Sequence, residues 1–249
     1  MTAPGYAFKA DPHSSHGLML QWLGEGGNRR LLDVGAADGL LARHLAARGW
    51  RVTGIESDAA LADAGAAHCE RVIHVDLNRG LPDLEDRFDA IVYGDVLEHL
   101  VDPLEVLIGL NRFLVPGGIV LVSIPNVAHL WIRLGLLAGR FEYGDRGILD
   151  RTHLRFFTER SLRALLREAH VRVERWTATP VPLPQVVPPA LRGAWVDRVH
   201  EASAAVARRL PRLLGYQFVA LGRPEATPPG PSEATPLPRS EGTTLGRPA

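Results

Sequence analysis

Residues 31–39 read Leu-Leu-Asp-Val-Gly-Ala-Ala-Asp-Gly, and this stretch decides the fold. Its apolar first half, residues 31–34, predicts a short buried strand. Two glycines, Gly35 and Gly39, then predict a tight turn, and apolar residues at helical spacing predict a helix that ends before Gly49. Glycine lets the backbone approach a ligand closely, and such a turn directs a helix N-terminus at that ligand. The stretch therefore predicts a strand, turn and helix that bind a cofactor.

Two classes of cofactor use a turn of this kind. A dinucleotide requires the pattern G-x-G-x-x-G, which fails here because Ala37 and Leu40 occupy the second and third glycine positions. The turn instead resembles the Asp-x-Gly-x-Gly-x-Gly turn of the class I S-adenosylmethionine-dependent methyltransferases, with Asp33, Gly35 and Gly39 matching and Ala37 replacing the middle glycine. An acidic residue beside the turn also suits an ammonium and a sulfonium better than a pyrophosphate.

The second predicted strand, residues 51–55, ends at an acidic residue, Glu56. Glu56 lies 21 residues after Gly35. In nucleotide-binding α/β folds, an acidic residue about 20 residues after the glycine turn accepts hydrogen bonds from ribose hydroxyls. We therefore predict that Glu56, with the neighbouring Ser57, contacts the cofactor; a surface glutamate without a ligand is the alternative.

Polar residues also follow the third and fourth predicted strands, residues 71–75 and 88–93. Asp76 followed by Leu77 fits an adenine, because the carboxylate can accept from the exocyclic amine while the leucine packs on the ring; a plain turn aspartate is the alternative. Asp95 is predicted to contact the cofactor or the acceptor. The cofactor site implied by the resemblance consists of Asp33, Gly35, Ala36, Gly39, Glu56, Ser57, Asp76, Leu77 and Asp95.

The resemblance to the methyltransferase family covers residues 29–125 in the family's order. It includes Asp-Val-Leu-Glu-His-Leu at residues 95–100 and Phe-Leu-Val-Pro-Gly-Gly at residues 113–118. Between them, Asp102 and Pro103 mark the start of a helix. The resemblance implies an α/β fold: a seven-stranded, mostly parallel, Rossmann-like sheet with an antiparallel last strand and helices on both faces.

Residues 126–157 form the least generic part of the chain. They leave the carboxyl end of the fifth predicted strand, where open α/β sheets bind ligands, and they are rich in aromatic residues and arginine. A connection this long is seldom a plain loop, so we predict an acceptor lid. Residues 150–158, Asp-Arg-Thr-His-Leu-Arg-Phe-Phe-Thr, are similar to a segment of methyltransferases in glycan and secondary-metabolite pathways, and distantly to MetW-type proteins of methionine biosynthesis.

Two histidines are candidates for a catalytic base, which an oxygen acceptor usually needs. His99 follows the fourth strand and His153 lies in the lid. For each, a purely structural role is the alternative. The spacing of His99, His129 and His153 along the chain predicts no metal site, and Cys69 is the only cysteine, so no cysteine-based site is expected.

The chain of 249 residues is long enough for one α/β domain with a substantial core. We predict an N-terminal cap at residues 1–28, a methyltransferase domain at 29–223 and a disordered proline-rich tail at 224–249. His13 and His16 belong to the cap. We favour a structural role for them over the alternative that one of them reaches the active site.

Composition narrows the classes of partner. The formal net charge is +0, so nothing drives binding to nucleic acid or to an anionic membrane. No apolar run reaches membrane-spanning length and no secretory signal is evident, so a cytoplasmic protein is the default. The oligomeric state is left open.

The sequence thus predicts an enzyme that uses S-adenosylmethionine to methylate an oxygen of a small molecule or sugar, whose identity the sequence leaves open. Alternatives are a MetW-like role near methionine metabolism, a cofactor-binding partner protein without catalysis and, third, a dehydrogenase.

Overall fold

The computed structural model describes residues 11–188 and 191–225. Within them, one sheet contains seven strands: β1 Arg30–Val34, β2 Arg51–Glu56, β3 Arg71–His74, β4 Phe88–Gly94, β5 Leu114–Pro125, β6 Val171–Thr179 and β7 Gln217–Pro224. The strand order is β3-β2-β1-β4-β5-β7-β6. β7 is antiparallel to both of its neighbours, and the pairs from β3 to β5 are parallel. The predicted fold is confirmed.

Helices cover both faces of this sheet. They are α1 Ser15–Leu23, α2 Leu40–Ala46, α3 Ala59–Gly65, α4 Pro103–Asn111, α5 Leu130–Leu137, α6 Glu159–Glu168, α7 Leu183–Val186, α8 Ala194–Arg209 and α9 Pro211–Leu214. A 3-10 turn at Leu97–His99 follows β4. Helix starts follow local chemistry: the Asp102 carboxylate accepts from the Glu105 N–H at 3.0 Å, and Pro103 occupies the first turn of α4.

Two hydrophobic cores lie on opposite sides of the sheet, because successive side chains of a strand point to opposite faces. In β4, Ile91 and Tyr93 pack in one core with the apolar residues of α4 and α6. Ala90 and Val92 pack in the other core with α1 and α2. Burial on both faces explains why the central strands are apolar runs without alternation.

The ends of the described region modify the predicted boundaries. Pro224 belongs to β7, and the Glu225 N–H donates to the His170 carbonyl oxygen at 2.7 Å. The predicted tail therefore cannot begin at residue 224, and the rest of it, residues 226–249, lies outside the described residues, as do residues 1–10 of the predicted cap. In the described part of that cap, α1 buries Met19 against the sheet.

Residues 126–157 contain α5 and a segment that returns to the sheet edge. The Asn126 N–H donates to the Tyr216 carbonyl at 2.9 Å, and an isolated bridge joins Asn126 to Phe157. Further along, the N–H groups of Leu154 and Arg155 both donate to the Glu98 carbonyl, at 2.8 and 2.9 Å. The segment is thus attached to the turn that follows β4. Neither α5 nor any other helix in the described ranges has the length and apolar character needed to cross a membrane.

Candidate active site

A cavity of about 300 Å³ opens at the carboxyl ends of β1 to β4. Parallel strands place these ends at one edge of the sheet, so turns from distant parts of the sequence line one space. Its volume lies at the small end of the usual range for ligand sites. The predicted site residues that line it are Asp33, Gly35, Ala36, Glu56, Ser57, Asp76, Leu77, Asp95 and His99.

The turn after β1 is shaped by backbone conformations that favour glycine. Gly35 has φ +76°, and a Cβ atom there would lie 3.0 Å from Val96 Cγ2. Ala37, which replaces the family's middle glycine, also lies in the left-handed region, with φ +48°. Its N–H donates to Glu56 Oε2 at 2.8 Å. A contact from the end of β2 therefore fixes the turn in a conformation that alanine rarely adopts.

Glu56 is buried, and backbone groups bind its carboxylate. Oε1 accepts from the N–H groups of Ser57 and Asp58 at 2.7 and 2.9 Å, and from the Ser57 hydroxyl at 3.3 Å. Oε2 accepts from the Ala37 N–H. Because each carboxylate oxygen has two lone pairs, Oε2 keeps a position for a ligand hydroxyl.

Asp33 is a buried carboxyl group that lines the cavity. Burial and, to a smaller extent, the charge of nearby Glu56 raise its pKa to about 7. Among the described residues, Oδ2 of Asp33 has no hydrogen-bond partner. A buried acceptor of this kind, at a cavity wall, fits a cationic group of a ligand.

Two roles were considered for Asp76, a turn aspartate and a cofactor-site residue, and its contacts are compatible with both. Oδ1 accepts from the Asn78 N–H at 3.0 Å, as in an aspartate turn, and Oδ2 pairs with Arg79 at 3.2 Å. Yet Asp76 and Leu77 both line the cavity. The turn aspartate and the cavity residue are therefore the same residue.

Asp95 has a strained backbone, with φ +53°. Its Oδ1 accepts from the Ser123 hydroxyl of β5, and its Oδ2 accepts from Gln217 Nε2 of β7 at 2.9 Å. Residues held in sparsely populated conformations persist where the surroundings determine them, and they cluster at functional sites. Two neighbouring strands thus position this carboxylate at the cavity.

The two candidate histidines lie together, but only His99 lines the cavity. Their ring centroids are 4.9 Å apart in an edge-on arrangement. His99 Nδ1 donates to the Thr152 carbonyl at 3.1 Å, and His153 Nδ1 donates to the Ile148 carbonyl at 3.0 Å. Burial lowers the pKa of His153, and the neighbouring His99 lowers it further. The His153 ring therefore packs against the His99 ring from the lid side.

The structure also places three further residues of the sequence analysis. Gly39 does not line the cavity: it precedes α2 with φ +78°, and a Cβ there would lie 3.2 Å from Gly65 Cα of α3. Gly39 thus lies against α3, and its contact with the cofactor stays a prediction. His16 does line the cavity, contrary to the structural role favoured for it. His13 keeps a structural role, since its Nε2 lies 2.8 Å from Glu201 of α8.

The predicted absence of a metal site stays a prediction, but the fold brings three potential ligands together. Glu98, His99 and His153 bring one ligand atom each within 4.8 Å of one another. Spacing along the chain gave no sign of this, because His153 arrives from the lid and only the tertiary fold places it beside the turn. No local signal marked His16 either. The neighbouring Glu98 and His99 after β4 were the one feature of the sequence that indicated a cluster of ligands.

Comparison with protein families then identifies the chain. Residues 14–175 match the model of a methyltransferase domain family. The chain belongs to this family. Its curated relatives include two proteins named ubiquinone biosynthesis O-methyltransferase. The one from Alkalilimnicola ehrlichii is 40% identical over 112 residues, which are 43% of this chain and 45% of that protein. The one from Pseudomonas syringae pv. tomato is 33% identical over 126 residues, 46% of this chain and 53% of that protein. The chain spans about half the length of these relatives.

Solved structures agree with this fold. A SAM-dependent methyltransferase from Aquifex aeolicus matches with a TM-score of 0.55 and 15% identity, covering 86% of this chain and 93% of that one. The [4+2]-cyclase SpnF matches with a TM-score of 0.59 and 22% identity, covering 89% and 85%. Identities this low show the fold alone, and the fold hosts more than one kind of chemistry.

S-adenosylmethionine is the cofactor of the methyltransferase, and the cavity fits it. The unpartnered oxygen of buried Asp33 suits an ammonium group, and the missing Cβ of Gly35 leaves room beside Val96. The remaining acceptor position of Glu56 suits a hydroxyl. When bound, the cofactor supplies a methyl group on a sulfonium, which is already activated for displacement.

Proposed function

We propose that this methyltransferase transfers a methyl group from S-adenosylmethionine to an oxygen of a small-molecule acceptor. One observation carries the proposal: His99 lines the same cavity as the residues expected to hold the cofactor. Its Nδ1–H donates to a carbonyl, so a neutral ring keeps Nε2 unprotonated. The names of the relatives, O-methyltransferases, support an oxygen acceptor.

The cofactor's parts match different walls of the cavity. We assign the ammonium to Asp33, beside the backbone of Gly35 and Ala36. We assign the ribose hydroxyls to Glu56, next to Ser57. The adenine belongs to the Asp76–Leu77 end of the cavity, and Asp95 faces the region between cofactor and acceptor.

Methyl transfer requires the protein to align the methyl donor with the acceptor and to provide a proton acceptor. Methyl transfer is an in-line displacement at carbon, so holding donor and acceptor in line supplies much of the rate. A hydroxyl acceptor must also lose its proton. We propose that this proton is removed at the edge of the cavity lined by His99.

We propose that the lid, residues 126–157, chooses the acceptor. It reaches the catalytic edge through the Thr152 carbonyl, which accepts from His99, and through the bonds of Leu154 and Arg155 to Glu98. Rings of Phe141, Tyr143 and Phe156 cluster in the lid, with centroids 5.5 to 6.2 Å apart. They offer apolar faces for a ring-shaped acceptor, a phenol or a sugar.

An acceptor screen tests the proposal. The purified full chain is incubated with S-adenosylmethionine and panels of phenols, catechols and sugars, and S-adenosylhomocysteine release is measured against a reaction without acceptor. We expect release with at least one hydroxyl acceptor. Cofactor binding by calorimetry without turnover on any acceptor would favour a cofactor-binding partner protein instead. Turnover confined to amines would contradict oxygen as the acceptor atom.

A further inference from the structure

We propose that Glu98, His99 and His153 form a binding site for one divalent transition-metal ion. Each contributes one ligand atom, and these atoms all lie within 4.8 Å of one another. Two imidazoles and one carboxylate are a ligand set suited to ions such as Zn²⁺, Mn²⁺ or Co²⁺. The site itself stands on this geometry, and the role given to the ion below rests on the proposed function.

The orientation of both imidazoles matches that of metal ligands. A carbonyl oxygen only accepts, so the bonds of His99 to Thr152 and of His153 to Ile148 place the ring protons on Nδ1. Each neutral ring then has its lone pair on Nε2. Metal-ligating histidines almost always donate their other ring N–H in this way, which fixes the tautomer and the ring plane.

The spacing is close to what one ion requires. His153 Nε2 lies 4.0 Å from Glu98 Oε1, which is too far for a hydrogen bond. Ligand atoms bound to one ion at about 2.0–2.2 Å are separated by roughly 3–3.5 Å. Side-chain movements of about 1 Å therefore convert the cluster into a coordination sphere.

The surroundings keep water away from two of the three ligands. The Glu98 side chain is 2% exposed and that of His153 is 6% exposed. At low exposure, the attraction between a carboxylate and a dication is weakly screened. His99, by contrast, lines the cavity, so the site is closed on the lid side and open toward the acceptor.

Local structure delivers the three ligands to one place. The 3-10 turn after β4 presents Glu98 and His99. The Glu98 carbonyl accepts from two lid N–H groups, and the Asp150 carboxylate accepts from the N–H and hydroxyl of Thr152 at 2.9 and 2.7 Å. These bonds fix the lid turn that carries His153.

Three protein ligands leave a coordination position free, as in catalytic metal sites. An ion held by Glu98, His99 and His153 would lower the pKa of an acceptor hydroxyl bound at that position, and the proton would pass to water. The oxygen then forms a bond to the methyl carbon while the carbon–sulfur bond breaks, and the electron pair stays on sulfur. With the ion bound, His99 would act as its ligand and water would take the proton, whereas in ion-free protein Nε2 of His99 would take the proton itself.

Metal titration tests the site without relying on activity. The full chain is stripped with a chelator, and Mn²⁺, Co²⁺ and Zn²⁺ are titrated by calorimetry, with the visible absorption of Co²⁺ as a second signal. We expect one ion per chain. Glu98→Gln and His153→Asn should weaken binding by at least about tenfold, the lower end for metal-site substitutions. His170→Asn is the control, because His170 is exposed and asparagine tolerates its φ of +54°.

Wild-type protein that binds none of the three ions overturns the site, and so do both variants binding as tightly as the control. If either variant fails to fold, the wild-type titration and a titration of the milder Glu98→Asp variant test the metal site instead. Methylation that continues in chelator-treated protein contradicts the role of the ion and leaves the proposed function standing. Metal binding without methylation of any acceptor supports the site and contradicts the proposed function.

Discussion

The backbone N–H of Ala37 donates to Glu56 Oε2 at 2.8 Å, across the gap between the turn after β1 and the end of β2. This bond holds Ala37 at φ +48°, in the region where glycine is favoured. One contact thus links the two sequence features that pointed to a nucleotide-like cofactor. It also explains how the family's turn persists without its middle glycine.

The first prediction concerns this strained alanine. Ala37→Gly relieves a left-handed conformation that costs about 1–2 kcal/mol and loses about 0.4–1 kcal/mol to greater freedom of the unfolded chain, so stability should rise by about 0–1.6 kcal/mol. Denaturant unfolding measures it. Ala36→Gly is the control: Ala36 is buried and has no positive φ, so that variant should be less stable. Equal losses in both variants would show that Ala37 is not strained.

The second prediction separates two glycines of the same turn. Gly35 lines the cavity and Gly39 packs α2 against α3. Gly35→Ala should therefore weaken S-adenosylhomocysteine binding and stability together. Gly39→Ala should lower the melting temperature but leave the affinity of the folded protein within about twofold, since a strained backbone position costs about 1–3 kcal/mol without touching the ligand. Calorimetry below the melting range decides, and a larger loss of affinity in Gly39→Ala would return that residue to the cofactor site.

A third prediction concerns Glu56, which has both structural and cofactor contacts. Glu56→Ala should weaken cofactor binding by roughly 1.5–3 kcal/mol, the range for hydrogen bonds to charged groups. It should also destabilise the fold, because the N–H groups of Ala37, Ser57 and Asp58 lose their acceptor. Asp58→Ala, which removes only the cap of α3, should cost about 1 kcal/mol of stability and no affinity. Unchanged affinity in a folded Glu56→Ala protein would place the ribose elsewhere.

The fourth prediction is a pH dependence from Asp33. Its pKa is raised to about 7 by burial and by Glu56, so the ligand-free protein holds a proton there that the unfolded chain has lost above its ordinary pKa of 3.8. This contribution to stability is fully present below about pH 3.8 and is lost progressively as the pH rises to about 7. Only the ionised carboxylate of Asp33 can bind the ammonium group of the cofactor. The affinity for the cofactor should therefore rise by up to about tenfold per pH unit below pH 7 and level off above it.

Asp33→Asn provides the check on this titration. The neutral amide should make the ligand-free protein more stable than wild type at pH 8, with a smaller difference at pH 5, and should remove the pH dependence of S-adenosylhomocysteine binding between pH 6 and 8. Thermal melts and calorimetry at three pH values supply the data. An unchanged pH profile in the variant would assign the dependence to another group.

The strands and the glycine turn can be predicted from the sequence because they depend on local patterns. The β1 run, Glu56 at the end of β2 and the Asp102–Pro103 helix start are all local signals, and each lies where predicted. The order of parallel strands then places their ends together without further information.

Other parts depend on contacts that no local pattern encodes. His16 reaches the cavity because α1 packs on the sheet, and His153 reaches Glu98 because the lid returns to the turn after β4. Gly39 has the same residue type and sign of φ as Gly35, and only the helix packed against it distinguishes the two roles. The positions of these residues depend on tertiary contacts, which spacing along the chain does not reveal.

Methyl transfer to an oxygen is tested most directly by following the methyl group itself. S-adenosylmethionine labelled in its methyl group is incubated with the full chain and the best hydroxyl acceptor from the screen, and the product is analysed by mass spectrometry. We expect one labelled methyl on oxygen for each S-adenosylhomocysteine released, with turnover reduced about 10²–10⁴-fold in His99→Ala, the usual contribution of proton removal. Label on nitrogen or carbon, or wild-type turnover in His99→Ala, would contradict this expectation.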